Sequence, residues 1–179
     1  MILVGWQHPF YTAFTGIGLA IARMNRNIFI KIIAVLGGFA TAVAAHAFHN
    51  TFGGLIGGIE GLAVGTFIDW VGWFFMLLFI IWMIVHERNI LKRHLLEEVN
   101  RELISPAQYR TAISFVQSGA RMNALSSGSY RATARFYQVC GELAHKKEQL
   151  LKLGDEKGNL ATIEKLRGEL TQLAPVAKT

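Results

Sequence analysis

Three polar side chains, His46, His49 and Asn50, fall within five residues of the stretch TAVAAHAFHNTF, at the end of a long apolar run. On a helix His46 shares a face with His49 and Asn50, three and four residues further on. A neutral imidazole is a common ligand for a divalent metal, and a nearby amide can orient a ligand or hold a reacting carbonyl. His8, at the head of HPFYTAFTGIGLA, and Asp69, inside a later apolar run, are the other groups with such chemistry. If the apolar runs cross a bilayer, His8, His46 and Asp69 all lie towards the same side. The two histidines could then converge on one ion, with Asp69 reaching the same layer. The plainer role is also open: His46, His49 and Asn50 could cap a helix end at an interface, bonded to backbone carbonyls and water. Two histidines do not make a signature of the HExxH kind, in which ligands and base share one helix.

The elements that must position these residues follow from an uneven composition. Residues 1–85 hold three basic and two acidic side chains, whereas residues 86–179 hold fifteen and ten. An apolar membrane domain joined to a charged aqueous domain is the expected organisation. The fold class is all-α: a polytopic membrane protein with about three transmembrane helices followed by a cytoplasmic helical hairpin. The spans are expected at about 6–22, 28–48 and 62–85. The second is 21 residues long, roughly 31 Å of helix, which matches a bilayer core. The first is the weakest and needs the residues before Phe10 to reach spanning length. A cleavable signal peptide does not fit, because the basic residues follow the apolar stretch.

Arg23, Arg26 and Lys31 lie in or beside the first connection, whereas the second, from His49 to Gly61, carries no Lys or Arg. Arg88, Lys92 and Arg93 follow the third run. This alternation satisfies the positive-inside rule with the N-terminus outside and the tail cytoplasmic. The expected location is therefore an integral membrane protein of the cytoplasmic membrane. The net charge of +6 is interspersed with acids and lacks a basic stripe interleaved with aromatics, so a bilayer and not a nucleic acid is the expected partner.

Gly53, Gly57, Gly61 and Gly65 recur at every fourth residue. They form either a bare helical ridge that lets another helix approach or a flexible glycine-rich loop between the second and third spans. Beyond them, residues 86–127 read as membrane-proximal helices and a linker, and 128–179 as a helical hairpin and tail. A charged helix is expected from Glu87 to Leu103. Ser105 is a natural N-cap and Pro106 a first helical residue. The polar stretch QSGARMNALSSGS reads as a linker, with helices over Tyr130–Leu153 and Leu160–Leu173. Leu143, Leu150, Leu151 and Leu153 are then placed to face Leu160, Ile163, Leu166, Leu170 and Leu173. His86, His94 and His145 read as solvated or interfacial, and Cys140, the single cysteine, as a small core residue.

HPFYTAFTGIGLAIAR, followed some thirty residues later by AAHAFHN, resembles the last two membrane motifs of the PrsW family of intramembrane metalloproteases. Those motifs are a His before a glycine-containing helix, and a His-x-x-x-Asn or His-x-x-x-Asp near a later helix end. ERNILKRHLLEEV, LISPAQYRTAIS and ELAHKKEQLLKLGDE resemble the cytoplasmic extension of many bacterial members. The resemblance implies a divalent metal, with zinc the first candidate, His8 and His46 as its ligands or their close supports, and Asn50 as the second polar member of the last motif. It makes Gly16 and Gly18 helix-packing positions. His49 matches no family position, and Asp69 is a candidate only from its own place in the sequence. The family pattern begins with Glu-Glu and Phe-x-x-x-Glu motifs on helices before the His-Pro segment, and this sequence begins seven residues before His8. Glu97 and Glu98, in the tail, cannot replace them.

A hydrolytic zinc site needs three protein ligands, an open position for water and a carboxylate to take its proton. The expectation is thus the C-terminal portion of a PrsW-like protease. It would cut peptide bonds in or near membrane-spanning substrates once the missing glutamates come from another chain or a longer form. The alternative is a non-catalytic, protease-derived scaffold subunit that packs into a larger complex. A small channel or transporter fits less well, since one acid and a few histidines near the outer ends of spans do not line a pathway.

Overall fold

The computed structural model describes residues 8–114, 117–126, 128–156 and 158–179, without the side chains of His8, Gln117 and Ser118. It is all-α, with no strand among the described residues. Seven helices run in order among the described residues: α1 (His8–Arg23), α2 (Ile28–Ile56), α3 (Gly58–Asn100), α4 (Pro106–Ala112), α5 (Gln117–Ser126), α6 (Tyr130–Leu153) and α7 (Asn159–Leu173). The chain divides into two compact units, Met1–Trp82 and Met83–Thr179.

In the first unit, α2 and α3 are long and apolar enough to cross a membrane. Almost none of their apolar windows is buried, 0% and 6%, so they are not the core helices of a soluble domain. Their outward side chains, such as Phe29, Leu36, Phe67 and Trp70, form the apolar surface that hydrocarbon requires. The described part of α1 has 16 residues, about 24 Å at the helical rise and short of a hydrocarbon core. Trp6 and Gln7, which the expected first span includes, lie outside the described residues.

Helix α1 packs closely on α2 where both lack side chains. A Cβ on Gly18 would come within 2.3 Å of the Ala34 carbonyl oxygen, and one on Gly38 within 2.6 Å of the Phe14 carbonyl oxygen. Neither backbone atom could yield, so glycine sets the distance between these helices. At Gly16 a Cβ would meet nothing.

Helix α2 is longer than the expected 28–48 span and carries the HAFHN segment two turns before its end. Its start is capped by Asn27, whose side chain accepts from the Phe29 amide at 2.9 Å. Its end falls at Gly57, with φ 64° and ψ 173°, a combination essentially restricted to glycine. The glycine-rich stretch thus divides between two helices around one break. Gly53 and Gly54 close α2, Gly61 and Gly65 lie in α3, and a Cβ at Gly54, Gly57 or Gly65 would meet nothing.

In the second unit, α6 and α7 form a hairpin. Arg135 bonds Glu169 near one end and Lys146 bonds Asn159 near the other, which makes the two helices antiparallel. Leu143, Ile163, Leu166 and Leu170 are buried together with Phe136, Val139 and Leu95 of α3. Leu151 and Leu160, expected inside the hairpin, are instead 71% and 52% exposed, because they lie off the faces that bury Leu153, Asn159 and Ile163 beside them. The expected linker QSGARMNALSSGS contains α5: Ala120 and Ala124, one turn apart, are buried, and small side chains were sufficient to seat it. The charged helix expected to reach Leu103 ends at Asn100, where Glu102 takes a left-handed φ of 60°. Ser105 then caps α4 through a reciprocal box with Gln108 at 2.9 and 3.1 Å, which satisfies two otherwise unpaired amides.

Candidate functional site

Tyr11 of α1, His46 and His49 of α2 and Asp69 of α3 gather in the first unit. Because α2 continues past Asn50, His46 and His49 project from a helix interior one turn apart, and the helix-end capping role is not what they do. Tyr11, on the second turn of the α1 helix begun by His8, stacks on His46 with ring centroids 5.1 Å apart and planes 16° apart. It also meets His49, at 6.4 Å and tilted by 44°. Asp69 of α3 also meets His49. Its Oδ1 lies 3.2 Å from His49 Nδ1, with side chains 5% and 18% exposed.

That His49–Asp69 contact is electrostatic and not a well-formed hydrogen bond. The two atoms are close, but their alignment fails hydrogen-bond geometry, and neither has a hydrogen-bond partner among the described residues. Buried polar atoms left in that state are costly, and an acid inside an apolar helix bundle marks a functional site by default. A cavity of about 440 Å³ opens beside the pair. Phe10, Ala45, Phe48, Trp73, Phe75 and Met76 form most of its wall, and Tyr11, His49 and Asp69 are its titratable lining.

Among the sequence candidates, His46, His49 and Asp69 come together. Asn50 is exposed and enters none of these contacts. The backbone of His8 opens α1, but its side chain lies outside the described residues. Tyr11 is the residue sequence reasoning missed. The signal was its place three residues after His8, on the same helical face.

Among the described residues no three His, Cys, Asp or Glu side chains gather closely enough to hold a metal ion. The described side chains therefore do not by themselves fit a hydrolytic metal centre, which needs three ligands.

Glu97 and Glu98 belong to a different structure. Glu98 is fully buried in the second unit and accepts from Lys147 at 2.7 Å and Arg167 at 2.9 and 3.0 Å. Burial alone would raise its pKa, and the bonds from Arg167 and Lys147 outweigh burial and lower it. Glu97, bonded to the same two cations and to Arg101, is held at about 2, chiefly by Lys147. His94 is a correction to the sequence reading. It is buried at 4% exposure and bonded to Glu148 at 2.8 Å, and this bond is the main reason Glu148 is lowered to about 2. His145 bonds Glu87 at the surface, at 2.7 Å, in keeping with an exposed role. Cys140 is buried, and burial pushes its thiol up to about 12.

Residues 1–85 match the family model described as PrsW family intramembrane metalloprotease. The matched segment takes in HPFYTAF, HAFHN and Asp69, and ends before the tail motifs. No curated protein and no solved structure matches the chain.

Proposed function

We propose, from the family match of residues 1–85, that this part of the chain contributes to the membrane core of a PrsW-like intramembrane protease. Its substrates are membrane-spanning proteins, cut within or beside the span. The match is the observation that carries the reading. The layer of buried Tyr11 and Asp69 with half-buried His46 and His49, beside an apolar cavity, agrees with it.

In this reading the family resemblance gives His8 and His46 the binding of a divalent metal, zinc first, and gives Asn50 the stabilising of the oxyanion. The described residues do not complete a metal site, so the remaining ligand and the carboxylate base belong to side chains beyond them. These come from a longer form of the chain or from a partner subunit. The first helix completes a third span, the N-terminus faces outward, and the tail lies in the cytoplasm of a bacterium. Arg23, Arg26, Lys31, Arg88, Lys92 and Arg93 support that orientation through their alternation.

The alternative reading is a non-catalytic scaffold derived from a protease, packed into a larger complex. Reconstitution separates the two. Protein purified from its native membrane is placed in vesicles with a membrane-spanning reporter. Cleavage in or next to the span, stopped by a chelator, restored by zinc and lost in His46→Ala, is the expected result. A reporter that stays intact under metal-replete conditions rejects the protease reading and leaves the scaffold.

A further inference from the structure

Helix α5 is inside out for a helix that faces water. Its small apolar residues, Ala120 and Ala124, are 5% and 0% exposed, while its large ones, Met122 and Leu125, are 68% and 61% exposed. The two alanines lie one turn apart on one face, and at about 100° per residue Met122 falls on the opposite face. A water-facing helix turns its larger apolar side chains to the core and its polar ones outward. Tyr130, which opens α6 just beyond, is exposed as well.

What covers this face follows from where the second unit begins. Met83, Ile84 and Val85, the last apolar turn of the α3 run, are exposed, and the charged stretch opens at His86. One turn further on, Arg88 Nε donates to the Ile113 carbonyl at 2.9 Å, and beyond it the Tyr109 hydroxyl donates to the Lys92 carbonyl at 3.3 Å. Helix α4 therefore runs back along α3 towards its apolar end, and the chain enters α5 from there. Helix α7 marks the other end, where Arg167 bonds Glu97 and Glu98 near the close of α3.

Charge points the same way. From Leu103 to Gly141 the chain holds four arginines and no Asp or Glu. Arg135 is engaged by Glu142 and Glu169, whereas Arg110 and Arg131 are exposed. A second copy of the chain, docked through this same basic face, would meet like charge. An anionic surface complements it.

We propose that α5 is an interfacial helix, with Met122 and Leu125 entering the headgroup–acyl boundary of the bilayer that α3 leaves and Arg110 and Arg131 meeting anionic lipid headgroups. The contact seats the second unit on the membrane surface and makes its attachment sensitive to lipid charge. It holds whether or not the chain takes part in proteolysis.

The test uses the full chain in phosphatidylcholine vesicles, with and without phosphatidylglycerol, diluted so that most vesicles hold at most one chain. Met122→Cys, Leu125→Cys and, as an aqueous control on α7, Leu160→Cys are each labelled with a fluorophore. Native Cys140 is 1% exposed with its thiol pushed up to about 12, so it stays unlabelled while the unit is folded and checks every variant. Quenching by brominated acyl chains is compared with quenching by aqueous iodide. Labels replacing Met122 and Leu125 should be quenched by the lipid and shielded from iodide several-fold relative to the label replacing Leu160, most strongly with phosphatidylglycerol.

Arg131→Gln should lower the ratio of docked to undocked α5 about fivefold, the factor for one arginine at an anionic surface. Met122→Asp should release the label replacing Leu125 into water while Cys140 stays unlabelled. Iodide quenching on α5 equal to that on α7 overturns the proposal. So does shielding from iodide without lipid quenching, which would identify a second copy or another protein as the cover. Lipid quenching indifferent to both phosphatidylglycerol and Arg131→Gln overturns the headgroup contact.

Discussion

Replacing Glu98 with alanine should speed the chemical modification of Cys140 about a hundredfold. Glu98 is fully buried and is the shared acceptor for Lys147 and Arg167, whose side chains are only 11% and 13% exposed. Removing one partner from a buried ion cluster leaves the others buried without full compensation, which costs about 3–5 kcal/mol. Here Glu97 still holds Lys147 at 2.6 Å and Arg167 at 3.0 Å, so the lower end applies. At about 1.4 kcal/mol per factor of ten, 3 kcal/mol corresponds to about a hundredfold more open molecules. Cys140 reports this directly. It is the only thiol in the chain, it lies in the same core at 1% exposure, and its raised pKa suppresses reaction while folded. The assay is the rate of maleimide labelling of the full chain in detergent, under conditions where opening precedes reaction. Glu164→Ala, which removes an exposed partner of Arg167, is the control and should change the rate less than about threefold. If Glu98→Ala matches that control, the buried cluster does not hold the second unit together.

Acid should weaken the same unit in a defined window. Glu97 and Glu148 are lowered from 4.5 to about 2, so their stabilisation is complete above 4.5 and is lost as pH falls from there towards 2. Glu148 should dominate, because the Glu97 side chain is 43% exposed and screened by solvent. Hydrogen-exchange protection of the α6 and α7 amides should fall across that interval, and a profile flat down to pH 2 would contradict the assignment. In the first unit, Gly18→Leu should lower the thermal midpoint in micelles, because forced overpacking costs about 1–3 kcal/mol, whereas Gly16→Leu should leave it unchanged. Gly57→Ala should destabilise by about 1–3 kcal/mol through its backbone conformation. Gly54→Ala, inside α2 with open space around it, should be neutral or slightly stabilising.

Helical periodicity made much of the fold legible. Tyr130–Leu153 is helical over the range its pattern implies, because its apolar spacing is regular and Gly154 stops it. Ser105 and Pro106 marked α4 because capping chemistry is local. Helix α5 was hidden, since polar and small residues give no apolar stripe and only tertiary burial of Ala120 and Ala124 reveals it. His94 was misread for a related reason. Lys92 and Arg93 beside it suggest a wet surface, while the partner that buries it, Glu148, is 54 positions away. At the site, HAFHN fixed which face of α2 is polar. The pairing of His49 with Asp69, twenty residues on, depends on how two helices meet across the Gly57 break, and no local spacing encodes that. Tyr11 escaped notice because an aromatic in an apolar helix ordinarily reads as packing.

The most direct measurement of the protease reading is the intact mass and metal content of the protein isolated from its native membrane, with wild-type and His46→Ala chains compared. A species that supplies the acidic side chains a hydrolytic site requires, in one chain or with a co-purifying subunit, is the predicted result. It should carry about one zinc per complex, lost in the variant, as a single hydrolytic site requires. A chain of 19.9 kDa recovered alone and without metal would contradict that reading and leave a membrane scaffold.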